Sequence, residues 1–145
     1  MSAPALATPA TTDPALPYHH PVRVYWEDTD AGGVVFYANY LKFFERARTE
    51  WLRQRGVSQQ HLKDSTGAMF VVTDTQVSYR RPARLDDLLD VTVQLVESGR
   101  ASFVIQQQAL CQGQLLTEGR IRIGCVDATT LRPRRIPEPV LAAMT

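Results

Sequence analysis

The chain has 145 residues, of which 44% are hydrophobic and 21% are charged, and its formal net charge at pH 7 is +1. This length and composition are typical of one globular domain, and the small net charge argues against broad electrostatic attraction to nucleic acid. No run of about 18 or more apolar residues is present, so we expect no membrane span. The amino terminus lacks the basic start and apolar stretch of a secretory signal, and the sequence therefore predicts a cytoplasmic protein.

The first twenty residues are rich in Ala, Pro and Thr and contain few large apolar side chains. Such a segment cannot bury enough apolar surface to order itself, so we expect residues 1–20 to form a disordered tail. Residues 21–145 are then expected to form a single folded domain. Its first strand is predicted over residues 21–27, where apolar and polar side chains alternate.

A long helix is predicted next, over about residues 37–55, because apolar residues recur there every three or four positions and Gly56 follows as a stop signal. Ser58 is a suitable cap for a shorter helix that we expect to reach residue 63. Four strands are predicted after it, over residues 69–80, 88–97, 101–112 and 115–126. Short turns join the last three strands, so we expect an antiparallel sheet that curls around the long helix, an α+β fold.

Two acids and two glycines lie between the first strand and the long helix. We expect the Asp30 carboxylate to be available as a nucleophile or as a base that activates water. Gly32 and Gly33 have no Cβ, so a substrate can approach the backbone closely there. The first N–H groups of the following helix lack intrahelical partners and suit a developing oxyanion. This order of residues favours acyl transfer, although Asp28 and Asp30 also suit capping of the turn and the helix.

Other readings of this segment fit less well. Asp28 and Asp30 have the spacing that begins an EF-hand calcium loop, but the twelfth position is Asn39 instead of the required Glu. We therefore expect no metal site. A dehydratase of similar fold normally pairs a His with an acid, whereas the three histidines, His19, His20 and His61, lie in the predicted tail or beyond the long helix.

The chain resembles hotdog-fold acyl-CoA thioesterases, in the branch that contains 4-hydroxybenzoyl-CoA thioesterase and the Tol–Pal-associated acyl-CoA thioesterases. The resemblance covers about residues 22–137 and rests on three segments in the same order. They are residues 22–35, which include Glu-Asp-Thr-Asp-Ala-Gly-Gly, residues 39–50, and residues 82–87. The resemblance implies a sheet wrapped around a central helix, a homodimer or homotetramer, and no metal or other cofactor.

The resemblance also implies site residues. Asp30 takes the position of the catalytic carboxylate, and Gly32, Gly33 and Val34 belong to the substrate-binding loop. Relatives in the Tol–Pal branch often have His at the position of Tyr37, whereas the hydroxybenzoyl-CoA branch has Tyr. In that second branch the backbone amide at this position polarises the thioester carbonyl, and a main-chain N–H does not depend on the side chain.

Arginines suited to the phosphates of coenzyme A occur late in the chain. Arg100 lies in a predicted hairpin turn, and Arg132 and Arg134 lie in the Pro-containing segment after the last strand. Arginine pairs with phosphate through two parallel hydrogen bonds, which makes these residues candidate ligands of the nucleotide. The resemblance favours Arg100 and Arg134 among them.

These features predict an enzyme that hydrolyses acyl-CoA thioesters to a free acid and coenzyme A. The alternative is a non-catalytic protein that binds acyl carrier protein or a cell-envelope complex such as Tol–Pal. The acyl group that is preferred does not follow from the sequence, because the depth of the pocket depends on how subunits meet.

Overall fold

The structure is a computed structural model that describes residues 16–145, so residues 1–15 of the tail predicted over residues 1–20 lie outside this part. None of the helices in residues 16–145 is long and apolar enough to cross a membrane. The elements, in chain order, are β1 (Tyr18–Arg23), a 3-10 helix (Trp26–Asp28), α1 (Asn39–Gln54), α2 (Gln59–Thr66), β2 (Ala68–Tyr79), β3 (Leu88–Ser98), β4 (Ser102–Cys111), β5 (Gln114–Asp127) and α3 (Glu138–Met144).

The strands form one antiparallel sheet with the order β1-β3-β4-β5-β2. Strands β3, β4 and β5 are joined by hairpins, as predicted, and the predicted α+β class is confirmed. Strand β2 pairs with β5 and not with β3, so the chain crosses the sheet between β2 and β3. Consequently β1 and β2 are the two outer strands among the described residues.

The structure differs from the sequence prediction at both ends of the described chain. Strand β1 begins at Tyr18, so residues 18–20 belong to the sheet and not to the predicted tail. The reason is tertiary, because Tyr18 pairs with Val93 of β3 and packs against the core. Helix α3 was not predicted, since its sequence is short and begins next to two prolines, but its buried Val140 and Met144 dock it onto the domain.

Helix α1 lies across one face of the sheet and supplies much of the core. Gly119 of β5 sets how closely the helix approaches, because a Cβ at this position would lie 2.9 Å from the Phe44 ring. A larger residue there would push the helix away from the sheet. The buried side chains of α1 are Tyr40, Phe43, Phe44, Ala47, Trp51 and Leu52.

The sheet has two ends with different polar groups. At the end that we call the loop end, the β1–α1 loop lies beside the start of β3, because Val34 pairs with Arg84. At the other end, the arginine end, the β3–β4 turn lies beside the segment after β5, where Ile136 N–H donates to Arg100 O at 2.8 Å. Strand β3 runs from one end to the other over 11 residues. Its length, at ~3.3 Å per residue, separates the two ends by roughly 30 Å.

Candidate active site

The loop after the 3-10 helix is a tight hairpin. Asp30 N–H donates to Val34 O at 2.8 Å, and Phe36 N–H donates to Asp28 O at 3.0 Å. Gly33 closes the turn, since its N–H donates to Asp30 O at 3.0 Å and its φ of +82° lies in the region that glycine favours. The hairpin thus fixes the backbone of Asp30, and the chain enters α1 a few residues after the hairpin ends.

The Asp30 side chain is exposed, and only one of its two carboxylate oxygens accepts a hydrogen bond from the described residues. Its Oδ1 accepts a hydrogen bond from Gly32 N–H at 2.8 Å, while Oδ2 has no protein partner in the described part of the chain. A Cβ on Gly32 would lie 3.2 Å from this Oδ1, so the glycine keeps the approach open. One oxygen therefore orients the carboxylate, and the other remains available.

Asp28 has a different environment, although it lies only two positions away. It is 6% exposed, and its Oδ2 accepts a hydrogen bond from Tyr25 N–H at 2.8 Å. Its backbone oxygen also accepts from the Asn39 side chain at 2.9 Å, which ties the loop to the first residue of α1. These contacts agree with the expectation that Asp28 suits capping of the turn.

The start of α1 has unused hydrogen-bond donors. Its N-cap, Ala38, provides no side-chain cap. Asn39 N–H donates to Phe36 O at 2.8 Å, whereas the N–H groups of Tyr37 and Ala38 have no partner within residues 16–145. Unpaired N–H groups at a helix start carry partial positive charge and can bind a developing anion. The backbone amide of Tyr37 is therefore available for the role expected of it.

A cavity of about 290 Å³ opens beside Tyr37. The Tyr79 hydroxyl donates to the backbone oxygen of Tyr37 at 3.2 Å, and the two rings meet edge to face with centroids 6.1 Å apart. Partial desolvation, together with the nearby Tyr37 and Tyr40, raises the pKa of the half-exposed Tyr79, whose hydroxyl is protonated at neutral pH in any case and can donate this hydrogen bond. Asp30 lies on the adjoining hairpin and not among the residues that line the cavity, which are Val35, Tyr37, Tyr40, Tyr79, Arg80, Arg81 and Pro82.

The sequence interpretation missed Tyr79 and Tyr40 as residues of this cavity. Both were assigned to regular elements by their apolar periodicity, and only the tertiary fold brings them to Tyr37. The Tyr40 hydroxyl accepts a hydrogen bond from Ala83 N–H at 3.1 Å, so this ring also fixes the connection between β2 and β3. A tyrosine at the last position of a strand is a weak sequence signal for such a role.

The predicted phosphate ligands lie at the arginine end. Arg100 and Arg132 are exposed, and their side chains have no partner among the residues described. Arg134 is half-buried, donates to Thr66 O at the end of α2 at 2.8 Å and lies 3.8 Å from the Asp127 carboxylate. The structure therefore brings together Asp30, Gly32, Gly33, Val34 and Tyr37 at the loop end, and it places Arg100, Arg132 and Arg134 at the opposite end of the same chain.

Comparisons with known proteins agree with this architecture. The sequence profile of the thioesterase-like superfamily matches residues 24–144. The acyl-CoA thioester hydrolase YbgC of Escherichia coli is 44% identical over 126 residues, which cover 86% of this chain and 93% of that protein. The acyl-CoA thioesterase YbgC of Haemophilus influenzae is 42% identical, with 87% and 93% covered.

A solved structure shows the same fold. The probable thioesterase from Bartonella henselae superposes with a TM-score of 0.81 at 33% identity, covering 84% of this chain and 100% of that one. The sequence-based predictions of the hotdog fold, of the family and of a thioesterase enzyme are thereby confirmed. The chain belongs to the thioesterase-like superfamily.

Proposed function

We propose that this protein hydrolyses acyl-CoA thioesters with the Asp30 carboxylate as its reactive group and the Tyr37 backbone amide as the oxyanion donor. The proposal rests on two groups in the segment between β1 and α1. One is the exposed Asp30 carboxylate, of which only Oδ1 has a hydrogen-bond partner, and the other is the unpaired N–H of Tyr37 just before α1. These two groups supply what acyl transfer needs, a nucleophile or base and a donor for the carbonyl oxygen.

Two routes are compatible with this arrangement. In the first, Asp30 Oδ2 attacks the thioester carbon, the C–S bond breaks, and water then hydrolyses the acyl anhydride. In the second, Asp30 accepts a proton from the water that attacks the carbonyl carbon and passes it to the departing thiolate. Both routes yield a free acid and coenzyme A, and in both the Tyr37 N–H stabilises the negative oxygen of the tetrahedral intermediate.

The glycines support the approach of the substrate. A Cβ built on Gly33 would meet no atom within 4 Å, so open space adjoins this residue. Gly32 and Gly33 are exposed, while Val34 is half-buried and pairs with Arg84. We assign the exposed side of this turn to the pantetheine arm and the thioester, and the cavity beside Tyr37 to the groups next to the carbonyl.

The separation of the two ends supports a homodimer as the minimal active unit. Strand β2 is an outer strand of 12 residues, and most of its residues from Val72 to Tyr79 are exposed. Outer strands of this kind pair readily with another strand. Antiparallel pairing of β2 with β2 of a second copy would place the arginine end of one copy beside the loop end of the other. Arg100, Arg132 and Arg134 would then contact the phosphates of coenzyme A bound at the partner's Asp30. The expected cytoplasmic location stays a prediction.

The test is thiol release from a panel of acyl-CoA thioesters by the purified protein. Asp30→Asn is expected to lower kcat by about 10³-fold or more, because both routes need the carboxylate. Its thermal unfolding should match that of the parent protein. Asp64→Asn, an exposed acid on α2, is the matched control and should retain full activity.

Unchanged turnover in Asp30→Asn would exclude the role assigned to this carboxylate. Absence of thiol release by the parent protein would instead favour the alternative, a protein that binds acyl carrier protein or the Tol–Pal complex without catalysis.

A further inference from the structure

A second cavity lies against the later half of α1, between this helix and strands β2, β4 and β5. Its volume is about 110 Å³, and Phe70, Phe103 and Ile123 form part of its apolar wall. Arg48 of α1 also lines it, and we call it the Arg48 cavity. An engineered cavity of ~150 Å³ accommodates a benzene molecule, so this smaller space suits a short chain of carbon atoms.

The Arg48 side chain forms a hydrogen bond with a buried glutamine. Arg48 Nη1 donates to Gln107 Oε1 at 2.9 Å, and Gln107 is fully buried. Gln107 Nε2 in turn donates to the backbone oxygens of Phe44 at 3.0 Å and Thr92 at 3.1 Å. Because both of these acceptors are carbonyls, the amide nitrogen must face them and the amide oxygen must face Arg48. Gln107 therefore presents its amide oxygen to Arg48, and this contact positions Nη1 of the guanidinium.

No carboxylate in the described part of the chain forms an ion pair with Arg48. Burial lowers the pKa of Arg48 to about 10, so the group is still charged at neutral pH. Its direct partner is the neutral Gln107, while the charge of the exposed Glu45, which also lines the cavity, favours the charged form of Arg48 without forming an ion pair with it. A half-buried cation without a paired anion is unfavourable, and an anion of the right size would be bound strongly there.

We propose that the Arg48 cavity binds the terminal carboxylate of a short acyl group, so that the preferred substrates are CoA thioesters of short dicarboxylic acids. This inference rests on the proposed function and specifies its substrate class. The carboxylate pairs with Arg48, and the methylene groups of the acyl chain pack against Phe70 and Phe103.

The position of the cavity fits the proposed dimer. Within one copy, the helix rise of ~1.5 Å per residue puts Arg48 more than 10 Å from the start of α1, too far for a short acyl chain. Phe70, however, lies near the beginning of β2, and antiparallel pairing of β2 strands brings the loop end of the second copy beside this position. A thioester carbonyl held at that copy's helix start can direct its acyl tail into the Arg48 cavity.

The experiment compares glutaryl-CoA with pentanoyl-CoA, which have equally long carbon chains and differ in the terminal carboxylate. The measured quantity is the preference ratio, kcat/KM for glutaryl-CoA divided by kcat/KM for pentanoyl-CoA. This ratio should be at least about tenfold in the parent protein, and Arg48→Gln should lower it by about 10- to 100-fold. Arg48→Lys should retain part of the preference, because it keeps the charge. Arg53→Gln, an exposed arginine of the same helix, is the control and should leave the ratio unchanged.

Glu45→Gln provides a variant that does not disturb a buried contact. Removing this negative charge from the cavity wall should raise the ratio by a few-fold, since the carboxylate of the ligand is no longer repelled. Binding of both CoA esters to Asp30→Asn, measured by calorimetry, gives the same comparison without turnover.

A parent protein that prefers pentanoyl-CoA in both turnover and binding would overturn the proposal. So would an Arg48→Gln variant that weakens both substrates equally, because that result assigns Arg48 to the structure alone. Failure of the proposed function is distinguishable, since it would abolish turnover of both thioesters and leave the binding preference intact.

Discussion

The two ends of the sheet differ in what their polar groups already bind. At the loop end, one carboxylate oxygen of Asp30 and the N–H of Tyr37 have no protein partner within residues 16–145. At the arginine end, Arg134 already donates a hydrogen bond to Thr66 O at the end of α2, while Arg100 and Arg132 are exposed to solvent. The loop end therefore presents groups suited to chemistry, and the arginine end combines binding capacity with structural contacts.

The same contrast exists within the loop itself. Asp28 and Asp30 are two positions apart, yet one is buried and bonded to the backbone whereas the other is exposed. Burial and hydrogen bonding give Asp28 a structural role, and exposure leaves the Asp30 carboxylate available for the reaction that we propose. Residue type alone does not separate the two roles.

The largest expected effect separates these two acids. Asp28→Ala should lower the free energy of unfolding by about 1–3 kcal/mol, because it removes the hydrogen bond that Tyr25 N–H donates to the buried Asp28 carboxylate. Asp30→Ala should leave the free energy of unfolding nearly unchanged and lower kcat by about 10³-fold. Urea denaturation and thiol release on both variants measure the difference. Equal losses of stability would contradict the separation of roles.

A smaller effect is expected at the exposed arginines. The double variant Arg100→Ala/Arg132→Ala should raise the KM for acyl-CoA by roughly 10- to 100-fold with little change in kcat. The reason is that contacts with the nucleotide stabilise the bound substrate and the transition state equally. A short thioester without the nucleotide serves as the control substrate, and its KM should not change. If both substrates weaken equally, these arginines do not bind the nucleotide.

The smallest effects are expected for Arg134→Ala, one on the stability of the fold and one on substrate binding. Arg134→Ala should lower the free energy of unfolding by about 1 kcal/mol, since it removes the hydrogen bond to Thr66 O and a cation at the end of α2. It should also raise the KM for acyl-CoA by a few-fold. A change in KM without any loss of stability would show that the contact with Thr66 is dispensable.

The regular elements and the loop before α1 were predictable because their signals are local. The three- and four-residue periodicity marked α1, and β-branched runs marked β2 to β5. Two acids before two glycines marked the loop between β1 and α1. Strand order is a long-range property, so the pairing of β2 with β5 did not follow from the sequence, and neither did the participation of Tyr18 in β1.

The candidate site was predictable only in part for the same reason. Asp30, Gly32, Gly33, Val34 and Tyr37 are close in sequence and remain close in the fold. Tyr79 and Arg48 reach their cavities only through tertiary packing, and the isolated sequence assigns them to a strand and a charged helix face. The placement of Asp30 and the arginines at opposite ends of the sheet was also not apparent, because sequence distance does not report which end of a sheet a turn occupies.

The central claim is that one copy supplies Asp30 and a second copy supplies the arginines of each site. Subunit mixing tests it most directly: Asp30→Asn and Arg100→Ala/Arg132→Ala proteins are unfolded together, refolded at equal amounts and assayed at low acyl-CoA concentration. Half of the dimers should be mixed, each with one intact site, so activity should recover to about a quarter of that of the parent protein. Activity no higher than the average of the two separate variants would contradict a site shared between copies.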